Sequence, residues 1–301
     1  MTVEKSFPNL LDQAERMSIK GQQSYMRLTY AGLLVALLAS IGGAINIDRR
    51  LGEKAVDLGG ALAGLAFIAG IFIAYYLLST KPERAWYEGR AAAESIKTMS
   101  WQYCVAGGAF GYDTLVPADK LFLDRLKETG QTAAAAQLTL TGVGSQITNG
   151  MRSLRAAPLA DRMVRYRIDR LEQQNKWYAQ KAADNRRRAR LWFGIAIILQ
   201  AIGLVFAALK TFDVVDVDLL GIVATAAASA SAWLQTKDHQ NLAESYAVTS
   251  RDLSLVLTKA DSMLQGATEE VWRRFVEDAE HAISREHTLW LARRGIQTIE
   301  N

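Results

Sequence analysis

The side chains that most often carry chemistry are scarce in this chain and are not grouped. Cys104 is the single cysteine, which excludes an intramolecular disulfide framework and a cysteine-based zinc site. The three histidines are His239, His281 and His287. The last two are six residues apart, so they do not share a helix face as i,i+4 metal ligands do. The sequence therefore predicts no metal and no cofactor.

Catalytic motifs are missing as well. The sequence has no Gly-rich loop ending in Lys-Ser or Lys-Thr, no Gly-x-Gly-x-x-Gly after a strand and no His-Glu-x-x-His. Glu94 and Glu244 follow two of the apolar runs described below. Pairing with nearby Lys or Arg on packed helices is the expected role of both, rather than catalysis. We therefore expect that the protein is not an enzyme.

Polar side chains inside apolar runs are more informative. In hydrocarbon, hydroxyl and amide groups either hydrogen-bond to neighbouring helices or line a hydrated path, and both possibilities stay open here. In the second case Asp216 and Asp218, just before the fourth apolar run, would form an acidic outer mouth that favours cations. The pore-lining candidates are Gln200, Thr225, Ser229 and Ser231.

Four uncharged stretches must position these side chains. They are 20, 23, 19 and 18 residues long, and a helix needs about 20 mostly apolar residues to cross a bilayer. The fourth is rich in Ala and Ser and is also compatible with a buried helix of a soluble domain. The stretches are Leu28–Ile47, Leu58–Thr80, Leu191–Leu209 and Leu219–Thr236. They predict an all-α membrane protein with two transmembrane helical hairpins that extend into a cytosolic helical bundle.

The distribution of Lys and Arg predicts the orientation of the spans. Fifteen basic residues flank the spans on the side of the termini, and the two hairpin loops hold four. This asymmetry places both termini in the cytoplasm. The run Arg186–Arg188 lies beside the third span, so anionic lipid headgroups explain it better than nucleic acid, which we do not expect as a partner.

Small residues in the second span predict close helix packing. Gly60 and Gly64 are four residues apart, as are Ala66 and Gly70. This spacing lets helix backbones approach closely, either within the first hairpin or between subunits.

The chain reads as two similar halves. An Ala-Glu-Ser triplet follows the second span at 93–95 and the fourth span at 243–245. After Pro158, no Pro or Gly occurs before the third span, which predicts one long helix with a return helix towards Leu264. The predicted domains are a first hairpin with flanking helices (1–104), a cytosolic linker with short helices (105–158) and a second hairpin with long cytosolic helices (159–301).

The cytosolic segments beside both hairpins carry a pattern of aromatic and charged residues. Its members include Trp86, Arg90, Glu94, Trp101, Trp177, Tyr178 and Glu244. This pattern resembles that of SLATT domains, which are two-transmembrane effector domains associated with the SMODS and SLOG proteins of bacterial conflict systems, proteins that synthesise or sense nucleotides. The resemblance covers most of the chain and corresponds to two subtypes in tandem.

The resemblance implies a membrane effector of bacterial, anti-phage defence in the inner membrane, which forms pores or disrupts the bilayer when triggered through its cytosolic helices. Four helices enclose little lumen, so we expect a homo-oligomer. Because the chain has no recognisable sensor or nucleotide-synthesising domain, a separate protein of that kind is an expected partner, and a nucleotide ligand of this chain stays open. The alternative is a membrane-anchored helical scaffold or adaptor that recruits a cytosolic partner.

Overall fold

The computed structural model describes residues 3–45, 48–51, 54–131, 145–212, 214 and 219–293. This part of the chain is almost entirely helical. Its α-helices are α1 (Asn9–Ala44), α2 (Leu58–Thr80), α3 (Pro82–Cys104), α4 (Ala118–Gln131), α5 (Asn149–Arg155), α6 (Leu159–Arg165), α7 (Gln173–Thr211), α8 (Leu219–Lys237), α9 (His239–Met263) and α10 (Glu269–Arg293).

Four helical stretches of the described chain are long and apolar enough to cross a membrane, as predicted. In the most apolar window of the first stretch only 17% of the residues are buried, and in the other three only 6%. Such apolar surfaces are not buried in a protein core and must be covered by lipid or by other subunits. The stretches are Asn9–Ala44, Leu58–Phe110, Leu159–Thr211 and Leu219–Met263. The chain is thus an all-α, multi-pass membrane protein.

The chain divides into two compact units, and each draws on both halves of the sequence. The bundle unit comprises residues 1–22, 83–183 and 243–301. The membrane unit comprises residues 23–82 and 184–242 and contains the four uncharged runs that were predicted as spans.

In both hairpins the second helix ends at a residue with a left-handed backbone. Lys81 (φ 44°) separates α2 from α3, and Asp238 (φ 51°) separates α8 from α9. The return helix predicted to run towards Leu264 is therefore broken at Asp238. Aspartate tolerates this conformation better than most residues because its short side chain can bond locally. Here Asn241 Nδ2 donates to Asp238 Oδ1 at 2.6 Å.

The long helix predicted from residue 159 is continuous, but one turn of it is wider than an α-helix. Tyr166–Glu172 is a π-helix between α6 and α7. The wider turn buries Tyr166, Asp169, Arg170 and Leu171 together. Single π turns inside α-helices are frequent at functional sites, because they redirect side chains towards one place.

A line of aromatic rings forms the centre of the bundle unit. Phe7 packs on Trp101 at 5.5 Å between ring centroids, Trp101 on Tyr166 at 5.9 Å, and Tyr166 on Trp272 at 5.6 Å. These rings come from the N-terminal segment, α3, the π-helix and α10, so the core lies where those elements meet. The segment 105–158 adds the buried side chains Phe110, Phe122, Leu126 and Met151.

A short antiparallel strand pair, which the sequence pattern did not predict, lies between α1 and α2. Strand β1 (Asp48–Leu51) pairs with β2 (Lys54–Asp57). Asp57 then caps α2, because its carboxylate oxygens accept from the amides of Gly59 and Gly60 at 2.9 and 3.0 Å. Such a cap satisfies backbone donors that the first turn of a helix leaves free.

Candidate functional site

The hydroxyl groups predicted to line a path lie on α8 of the membrane unit, and two of them bond within their own helix. Thr225 Oγ1 donates to Gly221 O at 2.9 Å, and Ser231 Oγ donates to Ala227 O at 2.9 Å. Ser229 is half-buried on the same helix. Because serine and threonine can bond the carbonyl four residues earlier, Thr225 and Ser231 are satisfied without water or a second helix.

Thr225 also faces an open cavity of about 410 Å³ in the membrane unit. Small residues from α1 and α2 make up much of its wall, so neighbouring helices leave space there. The lining residues are Gly32, Val35, Ala36, Ala39, Ser40, Ala66, Phe67, Gly70 and Thr225.

Gln200 is placed differently from the three hydroxyl residues. It is the tenth of the nineteen residues of the third predicted span and is exposed on the surface of the chain. Within the described part of the chain its amide has no hydrogen-bond partner. An unpaired amide in hydrocarbon costs several kcal/mol, so a partner beyond the described residues would stabilise this group. The acidic residues predicted at the outer mouth, Asp216 and Asp218, lie outside the described residues.

The closest helix approach in the first hairpin occurs at glycines other than the predicted ones. A Cβ on Gly59 would lie 1.9 Å from Ile45 O, and one on Gly42 would lie 2.8 Å from Gly59 O. By contrast, Gly64 faces open space and Gly60 meets only its own capping residue. Gly70 has ordinary contact with Val35 at 3.8 Å. The α1–α2 backbone contact therefore lies near the strand pair.

Gly59→Ala is expected to destabilise the first hairpin by about 1–3 kcal/mol, because the added methyl group forces two helix backbones apart. Gly64→Ala is the matched control, since the same methyl group meets no atom within 4 Å and improves helix propensity. Thermal unfolding of the detergent-solubilised chain measures both. Equal melting temperatures for the two variants would contradict the close approach at Gly59.

A buried charge network is the most distinctive polar feature of the bundle unit. Arg170 donates from Nη2 and Nε to Glu280 at 2.7 and 3.0 Å, and the exposed fractions of these side chains are 0% and 1%. Tyr166 OH donates to Glu280 Oε1 at 2.9 Å, and Thr98 Oγ1 to Glu280 Oε2 at 2.8 Å. One carboxylate therefore joins α3, the π-helix and α10.

Burial and charge act in opposite directions on Arg170. Burial alone disfavours its cation, but the charge and hydrogen bonds of Glu280 outweigh burial and raise the pKa of Arg170 above its usual value. Burial is the main cause that raises the pKa of Tyr166 well above its usual value, and the Glu280 charge adds to it. Arg170 Nη1 is buried without a hydrogen-bond partner. The network is thus a buried ion pair with one unfilled donor on Arg170.

A second buried arginine holds the glycine turn after α3. Arg162 donates to Val105 O at 2.8 Å and to Ala157 O at 3.0 Å, and it pairs with Glu269. Trp272 Nε1 donates to the same Val105 oxygen at 3.0 Å. The turn packs so closely on α10 that a Cβ on Gly107 would lie 2.3 Å from Val276 Cγ1. Gly107 and Gly108 therefore lie in a packed turn that contacts α10.

The sequence pattern that resembled a family falls on both buried and exposed positions. Trp86 and Trp101 are buried, and Trp101 Nε1 donates to Glu4 Oε1 at 3.2 Å. Trp177 is 41% exposed, but its ring packs on Tyr178 and Tyr246 at 5.0 and 5.5 Å. Most of these aromatic residues thus hold the bundle together.

The charged members of that pattern differ from one another. Arg90 and Glu94 are half-buried, and Glu94 contributes to the negative field at Arg170. Glu244 is exposed. Counted from the left-handed breaks at Lys81 and Asp238, the two glutamates stand thirteen and six residues along, so they are not at equivalent positions.

Glu280 is not among the residues predicted from the sequence, although a local signal points to it. On α10 this glutamate lies among Val276, Ala279 and Ile283, all of them buried. A carboxylate in the middle of an apolar helical stripe needs a buried cation or hydrogen-bond donors. That requirement, together with Arg170 in the charged helix after Pro158, is the signature of a buried pair.

Groups that could hold a metal ion are not found among the residues that the structure describes. Cys104 is buried at the end of α3, and His281 is exposed. His239 is buried, and its Nδ1 lies 2.7 Å from Asn185 Oδ1 in the membrane unit.

Comparison with known families matches nearly the whole chain to two related descriptions. SMODS and SLOG-associating 2TM effector domain 3 matches residues 8–163, and SMODS and SLOG-associating 2TM effector domain 1 matches residues 166–290. No curated protein and no solved structure is significantly similar to the chain. The tandem of two subtypes predicted from the sequence is confirmed. The chain belongs to the SLATT family of two-transmembrane effector domains, with one domain of type 3 followed by one of type 1.

Proposed function

We propose that this protein is a non-enzymatic membrane effector of bacterial anti-phage defence, which opens a path through the inner membrane as a homo-oligomer. Its termini and its bundle unit are cytoplasmic, as the excess of Lys and Arg beside the spans favours. The trigger reaches the bundle unit from a separate sensor or nucleotide-synthesising protein. The description of the family as 2TM effectors supports the class of function.

The observation that carries the oligomer is Gln200. Its amide is exposed at the middle of an otherwise apolar helix surface and has no partner among the described residues. In a bilayer that surface faces lipid unless another subunit or a hydrated path covers it. Subunits assembled around α7 would give the amide partners and would supply the lumen that four helices alone do not enclose.

A membrane-anchored scaffold is the second candidate. The internal hydrogen bonds of Thr225 and Ser231 favour it, because a helix whose hydroxyls are satisfied needs no hydrated path. In that case the spans only anchor the bundle unit, and unrelated hydrophobic hairpins could replace them without loss of function.

Dye release from vesicles tests the pore. We expect the purified full chain, reconstituted in vesicles of phosphatidylethanolamine and phosphatidylglycerol, to release an encapsulated small dye at high protein-to-lipid ratios, where assembly no longer needs the trigger. Release should rise more steeply than linearly with the protein-to-lipid ratio, because several chains build one path. The matched control carries unrelated hydrophobic hairpins in place of 28–80 and 191–236.

Release by the hairpin-swapped control equal to that of the natural chain would contradict the pore. So would the absence of release at every ratio, together with an intact membrane potential in bacterial cells that make the chain during phage infection. Retained phage resistance of the swapped chain would support the scaffold instead.

A further inference from the structure

Helix α7 meets α8 and the start of α9 in three successive layers within the membrane unit. Trp192 packs on Trp233 with 6.3 Å between ring centroids. At the other end, His239 Nδ1 lies 2.7 Å from Asn185 Oδ1, and both side chains are buried. Residues 185, 188 and 192 recur at the three- and four-residue spacing of one helix face. On α7, Arg188 therefore lies between the layer of Trp192 and Trp233 and the layer of Asn185 and His239.

Lys237 stands opposite Arg188 in this middle layer. Its Nζ lies 4.8 Å from the centre of the Trp233 ring, four residues earlier on α8. The Arg188 charge is close enough to act on both Lys237 and His239. The middle layer is thus a pair of like charges between a hydrophobic layer and a neutral one.

In the described part of the chain, neither Arg188 nor Lys237 has a carboxylate within ion-pair distance. The adjacent Asp238 accepts instead from Asn241 Nδ2 at 2.6 Å. Arg188 is exposed and Lys237 is half-buried. Like charges held close together are unfavourable unless an anion joins them.

The position of the pair along the helices indicates which anion is available. Arg188 precedes the third apolar span and Lys237 follows the fourth, so both cations lie at the same end of the two spans. Tyr30, near the start of the first span, contacts Trp233 at 5.7 Å and is half-exposed. Tryptophan and tyrosine rings prefer the headgroup level of a bilayer. Phosphate groups of lipids lie at that level.

We propose that Arg188 and Lys237 together bind the phosphate group of an anionic phospholipid, while Trp192, Trp233 and Tyr30 contact its glycerol and upper acyl region. The arginine fork and the lysine ammonium donate charge-assisted hydrogen bonds to the phosphate oxygens. Arg186 and Arg187 are exposed like Arg188, but they do not share the face of α7 that carries Asn185 and Trp192. The site requires neither pore formation nor oligomerisation.

Native mass spectrometry of the full chain in a neutral detergent, titrated with phosphatidylglycerol or phosphatidylcholine, tests this site. We expect tighter binding of phosphatidylglycerol. The double variant Arg188→Gln/Lys237→Gln should weaken its binding by about tenfold or more, since each cation near a lipid surface contributes about a factor of five. The matched control is Arg186→Gln/Arg187→Gln, which removes the same charge and should change binding by about twofold or less, because these two cations lie on other faces of α7 than Asn185 and Trp192.

A charge-reversal variant and a competition with inorganic phosphate complete the test. Lys237→Glu places a carboxylate beside Arg188, so it should abolish the preference for phosphatidylglycerol and leave the thermal stability unchanged or higher. Equal losses in the two double variants, or equal binding of both lipids, would overturn the proposal. Release of bound phosphatidylglycerol by millimolar inorganic phosphate would also overturn the assignment to a lipid and would indicate a free-phosphate site. Helix content by circular dichroism confirms that each variant is folded.

Discussion

Glu280→Ala is expected to destabilise the bundle unit by about 3–5 kcal/mol, because it leaves a fully buried arginine without its counter-charge. The hydroxyls of Thr98 and Tyr166 lose their acceptor in the same change. Thr98 lies in the first family match, and Arg170 and Glu280 lie in the second. The loss should therefore loosen the packing of the two SLATT domains against each other within this unit.

Hydrogen exchange followed by mass spectrometry measures this effect in the full chain. The backbone amides of the π-helix and of α10 should exchange about 100-fold faster or more, as a loss of 3 kcal/mol implies when local opening limits exchange. Exchange in the apolar stretches of the membrane unit should change little, because none of the network residues belongs to that unit.

Two control variants separate the buried charge from the loss of volume. Arg170→Met/Glu280→Leu replaces the pair by apolar side chains of similar size and should recover much of the lost protection. Glu270→Ala removes the same kind of side chain from an exposed pair with Arg274 on α10, where about 0–1 kcal/mol is expected. If the backbone amides of the π-helix and α10 exchanged at the same rate in Glu280→Ala and Glu270→Ala, the network would not hold the unit together.

The four spans could be predicted because local composition alone decides them. An uncharged run of about 20 residues has few alternatives to a membrane helix, whatever the rest of the chain does. The same holds for the long helix after Pro158, where no residue interrupts the pattern. The orientation of the spans, by contrast, follows from charge counts and stays a prediction.

Features that depend on contacts between distant residues could not be predicted in the same way. The glycine spacing at Gly60 and Gly64 pointed to close packing, but the closest approach lies at Gly42 and Gly59, where two helices meet beside the strand pair. The helix break between α8 and α9 lies at Asp238, where no neighbouring glycine or proline predicts it. The π-helix likewise follows from what surrounds it, namely the aromatic core and the buried pair with Glu280.

The polar residues of the spans were recognised by type, but their surroundings decide their roles. Thr225, Ser231 and Gln200 were predicted as one set of path-lining candidates. The structure separates them, because the two hydroxyls bond to their own helix while the Gln200 amide is exposed. Spacing along a helix cannot distinguish a side chain that satisfies itself from one that needs a partner.

Gln200→Leu is expected to reduce dye release by at least about tenfold, since interhelical hydrogen bonds of polar side chains in bilayers contribute about 1–2 kcal/mol for each contact. The substitution removes the exposed amide at mid-span and leaves a side chain of similar size that lipid covers well. Gln200→Asn should keep much of the release, because it retains the amide. Gln235→Leu is the matched control, as it makes the same change at an exposed position in the last turn of α8, near the interface.

The subunit number measured on the same samples shows how Gln200 acts. If Gln200→Leu lowers dye release and also dissociates the oligomer in native mass spectrometry, the amide bonds between helices of different subunits. If release falls while the oligomer stays intact, the amide lines the hydrated path, because leucine then narrows or dries it without weakening the assembly. Unchanged release and unchanged subunit number would show that lipid tolerates this amide, and the oligomeric pore would lose the observation that supports it most directly.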